Sequence, residues 1–88
     1  MNDGTKDNRV KVHEIVEGSV VLEIYKKEDS RNGKTYFDYR TAREFFVGDD
    51  EMGRGPYCQQ RDMRENIIAL VRAMEWISIQ HRNIREES

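Results

Sequence analysis

Few residues of this chain could do covalent or metal chemistry, and their spacing keeps them apart. The two histidines, His13 and His81, fall on different expected elements. Cys58 is the sole cysteine, with no CxxC partner and no histidine beside it in sequence. One thiol makes neither an internal disulfide nor a cysteine zinc site by itself. It reads as a small, half-buried strand residue. Asp49-Asp50-Glu51 puts three carboxylates in a row. A calcium loop needs ligands at alternating positions and a terminal glutamate, so this run reads as a solvated acidic loop. Gly53-Arg54-Gly55 lacks the Lys-Ser/Thr that completes a phosphate-binding loop and opens no helix directly. No nucleophile–base pair can be assembled. The expectation is a non-enzymatic chain with no metal, no cofactor and no small-molecule substrate.

The residues that could bind are aromatic and cationic. Tyr25 and Tyr36 lie in two strand-like segments with Lys27, Lys34, Arg40 and Arg43 around them. Rings on an open sheet can stack bases, because every base offers a π-face, and cations can meet an anionic backbone. These six residues form a candidate single-stranded nucleic-acid surface. Glu23 and Asp38 share the face and oppose phosphate. The alternative for the same face is a solvated sheet surface whose charges pair with each other.

The elements that must position these residues are legible as periodicities. Val10–Glu17 is an imperfect strand, closed by a turn at Glu17-Gly18-Ser19. In VVLEIYKK, Val20, Leu22 and Ile24 take one face and Val21, Glu23, Tyr25 and Lys27 the other, a clear period of two. Asn32-Gly33 marks a hairpin. The return strand puts Phe37 and Tyr39 on one face and Tyr36, Asp38 and Arg40 on the other, with a bulge or bend expected at 41–44. GDDEMGRGP reads as a polar loop, and Tyr57 to Arg61 as a short fourth strand. Asp62 and Glu65 fit a capping box. Ile67, Leu70, Val71, Met74 and Ile77 then repeat at helical spacing from about 63 to 82. The expected fold is α+β: a four-stranded antiparallel β-meander followed by one long C-terminal α-helix packed on the sheet. The expected core sets Val20, Leu22, Ile24, Phe37 and Tyr39 against that helical stripe. The expected organisation is a disordered N-terminus over 1–9, a single ββββα domain over 10–83 and a frayed C-terminus over 84–88.

Composition bounds the rest. The chain has 88 residues, of which 36% are apolar and 36% charged, with a net charge of −2. It is charge-rich and core-poor against ordinary usage. It lacks the strongly basic balance of most nucleic-acid binders. No apolar run approaches the ~20 residues of a membrane helix, and no basic-then-apolar segment opens the chain, so a cytoplasmic location is expected. A second helical row, Ile68, Trp76 and Ile79, is left over once one stripe faces the sheet. Surplus apolar surface on a small chain points to self-association. A homodimer through Ile68, Trp76 and Ile79 is therefore expected. The runner-up function is a protein-interaction or assembly module acting through the helix, with no nucleic-acid role.

Several short motifs resemble a family of small uncharacterised bacterial proteins. They are Gly18 through Lys27, the spaced Phe37, Tyr39, Arg43 and Phe45, Arg61-Asp62-Met63 at the helix opening, and Ala73-Met74-Glu75-Trp76-Ile77. The strand-strand-strand-strand-helix order is also similar, in layout, to the single-stranded-DNA-binding domains of the positive-cofactor-four and Whirly type. That resemblance implies dimerisation through helices and nucleic-acid binding on sheet faces and hairpins.

Overall fold

The computed structural model describes residues 9–87, so the expectation for residues 1–8 lies outside the described residues. Four strands are followed by a helix: β1 (Val10–Glu17), β2 (Val20–Asp29), β3 (Lys34–Phe46), β4 (Met52–Gly55) and α1 (Met63–Glu87). The strands form one antiparallel sheet in the order β1-β2-β3-β4, as a meander. The expected α+β layout is therefore observed. Both tight turns fall at the expected glycines. Gly18 (φ 59°) and Gly33 (φ 71°) take the left-handed conformation that other residues enter at a cost.

β2 forms the centre of the core. Val20, Leu22 and Ile24 are completely buried beneath α1 and join Ile15, Ala69 and Ala73 in one cluster. Each such aliphatic side chain contributes roughly 1.5–3 kcal/mol through removal from water. Phe37 packs at its edge, as expected, but Tyr39 remains 55% exposed. α1 lies over β1 and β2.

The helix is turned differently from expectation. Ile67, Val71 and Met74 are 62%, 50% and 67% exposed, and of that stripe only Leu70 and Ile77 pack against the core. The face on the sheet is Ala69, Ala73 and Trp76 instead. The reason is steric. Two alanines four residues apart present a flat row that lets the helix backbone come close to the branched residues of β2. Trp76 then reaches past them to stack on His13, with ring centroids 4.5 Å apart and planes 1° apart. It meets Phe37 edge-on at 5.9 Å.

Three further local features differ. The fourth strand is Met52–Gly55, not the segment from Tyr57 to Arg61. Gly53 and Gly55 lie over the Phe45 ring; a Cβ on Gly53 would sit 3.1 Å from it and 3.0 Å from Val47. That close approach makes an edge strand out of a segment with no apolar pattern. No register shift occurs at 41–44. β3 changes partner there, pairing with β2 as far as Arg43 and with β4 from Arg43 to Phe46. The irregularity lies in β1 instead, between Lys11 and His13, and it swings His13 and Ile15 toward the helix. Finally, Asp62 ends a 3-10 turn (Gln60–Asp62) and is not the helix N-cap. Its Oδ2 accepts the Gln59 backbone N–H at 2.7 Å and the Arg43 Nε–H at 2.8 Å. α1 runs on to Glu87, beyond the expected end near 82, because no glycine or proline interrupts the chain and Ile84 is half-buried.

Candidate functional site

Two surfaces remain once the core is formed: the sheet face away from α1 and the outer face of α1 itself. Strand register assigns the first. Tyr25 pairs with Asp38, Glu23 with Arg40, Lys27 with Tyr36 and Asp29 with Lys34, so Tyr25, Lys27, Lys34, Tyr36 and Arg40 share the open face. Arg43 does not. It pairs with Val20, whose side chain lies under the helix, and its guanidinium bridges to buried Asp62 at 2.8 Å. Arg43 therefore anchors the start of α1 on β3.

The open face is organised around a buried carboxylate. Glu23 is only 4% exposed. Its Oε1 accepts the Tyr25 hydroxyl at 2.8 Å and the Arg40 Nε–H at 2.9 Å. Its Oε2 accepts Arg54 Nη1–H at 2.6 Å and lies 3.6 Å from the Lys11 ammonium. Burial alone would raise this carboxyl. The Tyr25 and Arg40 hydrogen bonds and the Arg40 and Lys11 charges outweigh burial and hold it at about 2. The same bond holds the Tyr25 hydroxyl protonated to higher pH than usual.

Arg54 is the residue that sequence reasoning missed. It projects from β4 between two glycines and reaches three carboxylates on three strands. Its Nη1 donates to Glu14 at 3.1 Å as well as to Glu23, and its Nη2 lies 3.1 Å from Glu44. An edge strand can touch β1 only if the sheet curls, so Arg54 closes β4 over the open face. Lys11 also pairs with Glu14, and both Lys11 and Arg54 hold the Glu14 carboxyl below its usual range. Asp38 pairs with Arg9 at 3.3 Å. The charges on this face are thus largely paired with each other. Tyr36, Lys27 and Lys34 stand apart from the network, near the β2–β3 hairpin. Tyr36 is 43% exposed, and neither lysine has an ion pair among the described residues.

The second surface is apolar. Met63, Ile67, Val71 and Met74 run along the outside of α1 at 50–67% exposure, flanked by Ile68 (37%) and Ile79 (46%). Ile68 and Ile79 therefore lie where a contact could use them, whereas Trp76 is committed to the chain's own core. A shallow groove of about 450 Å³ follows this side of the helix, lined by Met74, Glu75, Ser78, Ile79 and Arg82. The alanine pair at 69 and 73 is the sequence signal that could have told the inner face from the outer one.

His13 stacks on Trp76, and His81 meets Phe37 edge-on at 5.1 Å. Cys58 is a half-buried free thiol packed at the core edge. Among the described residues no group of three or more His, Cys, Asp or Glu gathers as a metal site. No helix among them is long and apolar enough to cross a membrane. Protein-family models, curated proteins and solved structures all yield no match to this chain.

Proposed function

We propose that this protein is a non-enzymatic interaction module whose working surface is the outer face of α1. The observation that carries the reading is the exposure of Met63, Ile67, Val71 and Met74 along one side of the helix. With Ile68 and Ile79 they offer on the order of 600 Å² of apolar surface, at the upper end of what a monomer shows. Methionines at both ends of the row give it the adaptable side chains common on protein-binding surfaces. Site-specific photo-crosslinking tests this. A benzophenone side chain at Val71 is expected to yield a discrete protein adduct in the host cell. The same group at Asp50, in the exposed acidic loop, is expected to yield none. Equal labelling at both positions, or no adduct at either, would overturn the reading.

A second reading rests on the hairpin. Tyr36 stands across from Lys27 and two positions from Lys34 on the open face, beyond the Glu23 network. A ring between two lysines that make no ion pair among the described residues, with part of their charge offset by Asp29 on the same face, is a minimal platform for one stacked base and its phosphates. This narrows the candidate nucleic-acid surface to Lys27, Lys34 and Tyr36, because Tyr25 and Arg40 are hydrogen-bonded to Glu23 and Arg43 to Asp62. The reading expects weak oligonucleotide binding that falls with salt and is lost in Lys27→Glu/Lys34→Glu. A fluorescence titration at low salt with no binding at tens of micromolar protein would remove it.

A further inference from the structure

The outer helix face carries its own complement. Arg64 and Glu75 stand eleven residues apart, three turns of an α-helix, and so occupy the same flank of the apolar row. Both are exposed, and neither has an ion pair among the described residues. Arg82 shares this flank seven residues beyond Glu75, but Arg64 and Glu75 are the opposite charges whose midpoint falls within the Ile67–Met74 stretch of the apolar row.

We propose that the occupant of this face is a second copy of the same chain, its α1 antiparallel to the first across a twofold axis beside Leu70. The proposal rests on the reading of the outer helix face as a contact surface. In an antiparallel pair each flank faces the same flank of the other helix, in reversed order. A twofold axis midway between positions 64 and 75 therefore sets Arg64 of each copy against Glu75 of the other, giving two ion pairs from one relation. The same axis brings Val71 of each copy beside Ile68 of the other and interleaves Ile67 and Met74 between them. A parallel twofold pair would set Arg64 level with Arg64 and Glu75 level with Glu75, leaving both charges unmatched.

The area is adequate. About 600 Å² of apolar side chain plus the charged flanks approaches the ~800 Å² per partner of a standard specific interface. The assembly would be a four-layer sandwich, sheet-helix-helix-sheet, in which each helix is covered on both sides. That arrangement gives α1 an apolar environment on both its alanine face and its methionine face. The sheets' open faces then point outward in opposite directions.

Sedimentation velocity with charge reversal tests the proposal on the full chain. The wild type is expected to dimerise at micromolar to tens-of-micromolar concentration. Arg64→Glu alone, or Glu75→Arg alone, sets like charges together twice per dimer and is expected to raise the dissociation constant at least about tenfold. The double variant Arg64→Glu/Glu75→Arg restores the opposite pairing and is expected to return within about threefold of wild type. Both positions are exposed, and matched circular dichroism spectra will verify that each variant is folded. Single reversals without effect, or a double variant no better than the singles, overturn the antiparallel pairing. A wild type that stays monomeric to about 100 µM overturns the second copy as occupant. In that case a Val71 adduct with a different protein would leave the contact-surface reading standing, whereas absence of any adduct would end both.

Discussion

Replacing Trp76 by alanine is expected to lower stability by about 3 kcal/mol, the low end of the range for removing a large aromatic side chain from a core, because the indole is partly buried. For a chain of this size that means a fall in Tm of at least ~12 °C. The argument starts from three rings held together. Trp76 stacks on His13 of β1 at 4.5 Å and meets Phe37 of β3 edge-on at 5.9 Å. Phe37 in turn meets His81 from the last turns of α1 at 5.1 Å. One indole thus joins the helix to two strands that are not neighbours in the sheet. Leu70 and Ile77 of α1 also pack against the core, but among the described ring contacts only Trp76 meets both His13 and Phe37. Ile79→Ala, at a position 46% exposed, is the control and should cost no more than about 1 kcal/mol. Urea unfolding at one fixed protein concentration makes the comparison, since association would otherwise add to the apparent stability. Equal losses in the two variants would contradict the placement of Trp76 in the core. The same cost means that Trp76→Ala is a poor probe of self-association, for which exposed Arg64 and Glu75 are suited.

What the sequence made legible follows from how each element is specified. β2 announces itself because Val20, Leu22 and Ile24 alternate with Val21, Glu23 and Tyr25, and a half-buried sheet demands that alternation. The turns at Gly18 and Asn32-Gly33 are read from backbone chemistry that few residues can supply. The helix is read from its period, but the period cannot say which of two apolar sides faces in. Ile67, Val71 and Met74 look like a core stripe and lie outside; Ala69 and Ala73 look unremarkable and set the distance between layers. β4 was hidden for a related reason. Gly53-Arg54-Gly55 has no hydrophobic pattern, and it becomes a strand because bare backbone can lie over Phe45. The open face was assigned correctly by parity for Tyr25, Lys27, Tyr36 and Arg40. Its electrostatics were not legible, since Arg54 enters it from a strand that parity did not predict. Arg43 lies close to the open-face residues in sequence, but its register opposite Val20 puts it on the helix side of the sheet.

Glu23→Gln is expected to flatten the response of stability to acid. The Glu23 carboxyl falls from 4.5 to about 2 in the folded chain. That difference corresponds to about 3 kcal/mol, an upper value because the Arg40 partner is 70% exposed and screened by solvent. The folded state favours the charged form, so the contribution is complete above about pH 4.5 and is lost as pH falls toward 2. Glutamine keeps the volume and can still accept one hydrogen bond, but it cannot offset the charges of Arg40, Arg54 and Lys11. The variant should therefore be less stable than wild type at pH 7, and the gap should close between pH 5 and 2. Glu14 and Asp62 are also held below their usual range, and they give both proteins a shared acid sensitivity. The difference between the two curves isolates Glu23, apart from its coupling to Glu14 through Arg54 and Lys11. Arg54→Met separates that coupling. It releases β4 from the face while Arg40, Tyr25 and Lys11 still hold the carboxylate, so it should retain part of the pH dependence. Parallel wild-type and Glu23→Gln curves from pH 7 to 2 would mean that the carboxylate is solvated in the folded protein. The curled sheet would then need a different account of what holds β4 across it.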